Sequence, residues 1–102
     1  MKVVVMKPDA LPDVQDIPNT LEALQELVGG YIEVVELADG LAVVCDEEGR
    51  LKGRPYCATI GDVQFVGTIA LVGTAGCEFT DIPFSEGLLR LVREVFKSHV
   101  DC

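Results

Sequence analysis

The chain has 102 residues, 49% of them apolar but only 6% aromatic, with 17 acidic against 8 basic residues and a net charge of -9. That length fits one domain, residues 1–102, and such a chain buries roughly two-thirds of its unfolded surface, enough for an aliphatic core without metal or disulfide staples. So apolar a chain is not a disordered one, and its acidity repels phosphate backbones, so no nucleic-acid partner is expected.

Cys45, Cys57, Cys77 and Cys102 form no Cys-x-x-Cys pair, and the one histidine, His99, lies near the end. A tetrahedral zinc site needs four closely placed ligands, so neither a metal nor a cofactor is expected. The apolar run Val3–Met6 is too short for a signal peptide or a membrane span. Free thiols in a reducing cytoplasm, with no membrane contact, are the corresponding expectation.

Lys2-Val-Val-Val-Met6 is β-branched and predicts a strand. Lys7–Asp13 carries two prolines and two aspartates, which is turn chemistry, and Val14–Ile17 alternates so as to return antiparallel. Asn19 or Thr20 can then cap a helix whose Leu21, Leu24, Leu27 and Val28 share one face. Gly29 supplies its left-handed C-cap.

Tyr31–Leu37 predicts a central strand, joined through Ala38-Asp39-Gly40 to its hairpin partner Leu41–Cys45, which is apolar on both faces and also central. Asp46-Glu-Glu-Gly49 makes a turn, and Gly53 and Pro55 mark Arg50–Cys57 as edge or loop. Val63, Phe65, Gly67, Ile69 and Leu71 alternate along one strand, with a bulge or close approach at Gly67, and Gly73–Gly76 ends it. A final helix from Ser85 places Leu88, Leu91, Val92 and Val95 on one stripe.

The order ββαβββα, or a close variant, predicts an α+β fold: a two-layer, mainly antiparallel sheet with two helices on one face. Two short helices leave apolar strand surface over, which predicts a homodimer or higher oligomer.

No enzyme signature emerges and no catalytic residue is assigned. His99 has nothing to anchor it beside a cysteine. Gly73-Thr-Ala-Gly-Cys77 lacks the Gly-Lys-Ser/Thr and the helix of a P-loop. The basic run Gly49-Arg-Leu-Lys-Gly-Arg-Pro-Tyr56 is the best ligand site, because Arg50, Lys52 and Arg54 point one way in an extended chain and Tyr56 can stack on a base. An edge strand whose cations deter aggregation is the alternative. Tyr31 and Glu33 are candidate neighbours of that loop.

Leu24-Gln-Glu-Leu-Val-Gly-Gly-Tyr-Ile-Glu-Val-Val35 and Asp46-Glu-Glu-Gly-Arg-Leu-Lys-Gly-Arg-Pro55 resemble a family found in phages, plasmids and bacterial chromosomes, domain of unknown function 3846. The resemblance extends from Lys2 to the terminal helix. The family places an Asn soon after the Pro, where this chain has Tyr56-Cys57-Ala58. The resemblance implies a phage or mobile-element setting and no established activity. The first functional expectation is a non-enzymatic binding protein that sequesters a small anionic, nucleotide-derived defence signal on Arg50, Lys52, Arg54, Tyr56, Tyr31 and Glu33. The second is an interaction module that inhibits a host protein through its acidic surface or a β edge.

Overall fold

The β-branched run Lys2–Met6 forms β1, and Asp13–Asp16 returns beside it as β2, in a computed structural model that describes residues 1–60, 62–76 and 78–82. The pairing is antiparallel with Val4 opposite Val14, so the Pro-Asp turn chemistry closes a hairpin as predicted. Helix α1, Leu21–Val28, is capped by Thr20, whose hydroxyl accepts from the Ala23 amide at 3.1 Å. Asn19, the other candidate cap, instead donates to the Phe79 carbonyl. At the far end Gly29 takes φ +82°, and its amide bonds the Gln25 carbonyl at 2.8 Å.

Strands β3, Ile32–Ala38, and β4, Leu41–Asp46, form the next hairpin. The 47–55 segment is a run of turns, and β5, Tyr56–Ile60, starts only beyond Pro55. The single strand expected through Gly67 is two, β6, Val63–Val66, and β7, Ile69–Ala75. Gly67 adopts φ +73°, a conformation that residues with a Cβ avoid, so the chain turns there and passes from the sheet of β5 and β6 back to the sheet of β1 and β4. A further short strand, β8, Glu78–Thr80, pairs with β7. The predicted helix from Ser85 lies outside the described residues.

The main sheet has the order β2-β1-β7-β4-β3, with β8 also on β7, while β5 and β6 form a separate ribbon. Every pairing is antiparallel. β4 is central, as expected. β3 is not: among the described residues it is the outer strand of the sheet.

Alternation divides the sheet's side chains between two cores. Val3, Val5, Val44 and Val72 pack with Leu24 and Val28 of α1. Val4, Met6, Val43 and Leu71 pack with Cys57, Ile60 and Phe65 of the ribbon. The described residues thus make three layers, helix on sheet on ribbon, where two were expected; the mainly antiparallel sheet and the α+β class agree with expectation, and one helix, α1, lies among the described residues. Each buried Val or Leu contributes about 1.5–3 kcal/mol, and truncating the fully buried Leu24 would cost about 2–5 kcal/mol. The ribbon covers Val43, Cys45 and Leu71 on the second face of the sheet, while Val34 of β3 stays exposed. Among the described residues no helix is long and apolar enough to cross a membrane.

Candidate functional site

Asp46 ends β4 on the α1 side of the sheet and is the one buried charged residue among those described, 6% exposed. Three donors converge on its carboxylate. Lys52 Nζ and Arg54 Nε each reach Oδ2 at 2.9 Å, and the Glu48 amide donates to Oδ1 at 2.9 Å. The same two cations also donate to the Gly29 carbonyl at the C-terminus of α1, Arg54 Nη2 at 2.9 Å and Lys52 Nζ at 3.3 Å. A helix C-terminus carries partial negative charge, which cations complement. The 47–55 loop is thereby clasped to the end of the helix.

The glycines beside the clasp make room for it. A Cβ on Gly30 would lie 2.6 Å from Lys52 Nζ and 2.7 Å from Asp46 Oδ1. One on Gly29 would meet Arg54 Nη2, and one on Gly67 would meet Arg54 Cδ, both at 2.7 Å. Burial alone would raise the Asp46 pKa. The hydrogen bonds from Lys52, the Glu48 amide and Arg54, with the Lys52 charge, outweigh burial and hold the carboxyl below its ordinary value.

A cleft of about 300 Å³ opens on the opposite face, between β6 and the β3–β4 hairpin. The β5 strand lies over β1, where the Cys57 thiol donates to the Met6 carbonyl, so β6 falls toward the outer margin of the sheet. Val35, Cys45, Val63 and Phe65 give the cleft apolar walls; Glu33, Glu47 and Arg50 line it as well, and Asp46 borders it at the end of β4. Arg50 donates through Nη2 to the Gln64 carbonyl at 3.0 Å. Among the described residues no cation pairs with Glu33, Glu36 or Glu47.

The outer edge of β3 runs along this cleft. Tyr31 accepts from the Glu47 amide at 2.8 Å. Backbone polar groups alternate in direction along an antiparallel ladder, so residues 31, 33 and 35 face β4 while Ile32, Val34 and Glu36 turn theirs outward. No described strand pairs with them.

The six candidates from sequence therefore separate. Lys52 and Arg54 converge on Asp46. Arg50 and Glu33 line the cleft on the other face. Tyr31, 70% exposed, and Tyr56, whose hydroxyl shares a 2.7 Å hydrogen bond with Thr59, line neither. The extended geometry that would align three cations does not form, because turns at residues 47–53 curl the loop. Asp46 was missed because Asp-Glu-Glu-Gly has the composition of a solvated hairpin tip. The available signal was two cations six and eight residues downstream, with a Gly-Gly pair that needs a reason.

Neither described thiol is poised for chemistry. Burial, with the charges of Glu33 and Asp46, pushes Cys45 up to about 11, and burial alone pushes Cys57 to about 11. No cluster of three or more His, Cys, Asp or Glu suited to a metal exists among the described residues. His99, Cys77 and Cys102 lie outside them.

The model of the family described as a domain of unknown function, DUF3846, matches residues 1–96. The chain belongs to the DUF3846 family. No curated protein and no solved structure matches it. The features of this DUF3846 chain that bear on function are the clasp, the cleft and the β3 edge that no described strand covers. The Leu-Val-Gly-Gly-Tyr and Glu-Glu-Gly-x-Leu-x-Gly-x-Pro segments that carry the resemblance are the two halves of the clasp.

Proposed function

We propose that this DUF3846 chain is a non-enzymatic interaction module that takes an extended segment of a partner protein onto the outer edge of β3. One observation carries the reading: the outward backbone groups of Ile32, Val34 and Glu36 lack a strand partner among the described residues and run beside an open cleft. Main-chain hydrogen bonds to a free edge supply affinity, and an adjoining pocket for alternate side chains supplies specificity. The other margin of the sheet is less suited. Strand β2 is four residues long and lies between Pro12 and Pro18, which blunts an edge.

Capture of a small nucleotide-derived anion would need Lys52 and Arg54 free. Both already hold Asp46 and the Gly29 carbonyl, and this supports the interaction reading over anion capture. Inhibition of a host protein in the cytoplasm, from a phage or plasmid gene, is the role in which such a module would serve.

A selection of displayed peptides, followed by backbone amide mapping of the winners, tests the proposal. Shifts should concentrate in residues 32–38 and 63–66, and Val34→Pro should abolish binding while leaving the fold intact. A mono-, di- or cyclic nucleotide at ten times its dissociation constant would add about 1.4 kcal/mol of stability. Such a shift, without any peptide binding at β3, would return the assignment to anion capture.

A further inference from the structure

The edge of β3, unpaired among the described residues, has a charge pattern of its own. Its centre reads Glu33-Val34-Val35-Glu36, the same in either direction, with all but the partly buried Val35 exposed. Glu33 and Val35 face the cleft, while Val34 and Glu36 lie on the α1 face, opposite Val44 and Ala42 of β4. Val34 remains 42% exposed because α1 does not cover it. Glu33 and Glu36 are unpaired with any described cation, and Glu47 adds a second carboxylate at the cleft.

Resting on the edge-capture reading, we propose that the partner segment is cationic and carries the complementary tetrad, a Lys or Arg, two β-branched or aromatic apolar residues, then a Lys or Arg. Directly opposed side chains on neighbouring strands sit close enough to interact, and opposite charges there are favourable. A cation opposite Glu33 also reaches toward Glu47, and the apolar residue opposite Val35 enters the cleft against Val63 and Phe65. The second apolar residue covers Val34, and the last cation meets Glu36. Because the tetrad on β3 reads alike in both directions, strand polarity leaves this matching intact.

A second copy of the chain is the weaker occupant. Each copy carries a net charge of -9, so two copies repel at long range, whereas a basic segment is drawn in.

The test titrates the protein with three capped hexapeptides and follows the backbone amides. Their central tetrads are Lys-Val-Val-Lys, the same residues as Val-Lys-Lys-Val, and Glu-Val-Val-Glu. The first should shift residues 32–38, bind about tenfold more tightly than the permuted peptide and weaken as salt is raised. The double variant Glu33→Lys, Glu36→Lys should transfer the preference to the Glu-Val-Val-Glu peptide. If all three peptides shift the β3 amides alike, edge capture stands and the charge rule falls. Shifts confined to residues away from β3 overturn the rule as well, and no shift with any peptide overturns both it and the edge reading. Concentration-dependent broadening of β3 in the free protein, with a dimer mass by light scattering, would assign the edge to a second copy instead.

Discussion

Arg54 Nη2 donates to the Gly29 carbonyl at 2.9 Å, across 25 residues of sequence, while Nε of the same side chain holds Asp46. One guanidinium thus ties the end of a helix, the end of a strand and a loop together. Arg suits this work better than Lys, because its planar fork presents fixed donors to two acceptors at once.

The space around that fork makes Gly30 a sensitive position. Its φ is not left-handed, so Gly30→Ala acts through contact with Asp46 and Lys52 rather than through backbone strain. Lys52 can swing aside, but the buried Asp46 cannot. A loss of about 2 kcal/mol is expected, as for other disrupted buried networks, and urea denaturation measures it. Gly53→Ala is the contrast: φ is +70° and no atom lies near, so only the strain of about 1–2 kcal/mol applies.

Asp46→Asn removes the charge that Lys52 and Arg54 share. Both cations are about one-third exposed and can rehydrate in part, so the cost should fall near the lower end of the range for a broken buried pair, about 3 kcal/mol. The folded chain holds the Asp46 carboxyl below its ordinary value of 3.8. Its ionisation therefore stabilises the fold fully above that value, and the contribution drains away as the pH falls through the lower folded pKa. The stability gap between wild type and Asp46→Asn should be constant from pH 5 to 8 and narrow below pH 4. A gap that widened in acid would contradict the ion-pair account.

Strand direction separates two proline substitutions. At Val34 the lost N–H points away from β4, so Val34→Pro should cost about 1 kcal/mol or less while closing the edge to a partner. At Val44, in the central β4, proline interrupts a ladder between two strands and should cost about 3 kcal/mol or more. Thermal melts of the two variants check the difference.

With pKa values near 11, Cys45 and Cys57 should be silent toward thiol reagents in the folded protein. In a Cys77→Ser, Cys102→Ser background, labelling at pH 8 should proceed only as fast as the chain opens, and mild denaturant should accelerate it. Rapid labelling of the native chain would show that the core around Phe65 is looser than the packing implies.

What could be read in advance follows the range of the interactions. The β1–β2 turn, the Thr20 and Gly29 caps of α1 and the β3–β4 hairpin are set by residues within a few positions of one another, and all four were legible. The break at Gly67 was not. The apolar alternation of Val63–Leu71 is continuous, and only a positive φ at Gly67 sends its two halves into different sheets. The site was harder still. Arg50, Lys52 and Arg54 looked equivalent by spacing, yet turns at residues 47–53 send two of them to Asp46 and one to Gln64 on the opposite face.

By itself the sequence determined an acidic, aliphatic α+β chain with antiparallel hairpins, a capped helix and a cationic loop beside Gly29-Gly30, because pattern, capping and turn chemistry are local properties. Tertiary structure alone decided that β3 is a margin and not a centre among the described strands, that the ribbon covers the second face, and that the helix end the Gly-Gly pair leaves open is filled by this chain's own Lys52 and Arg54. Strand order and layer coverage depend on contacts between residues far apart in the chain. A period-two apolar pattern states that a face is buried, but not what lies against it.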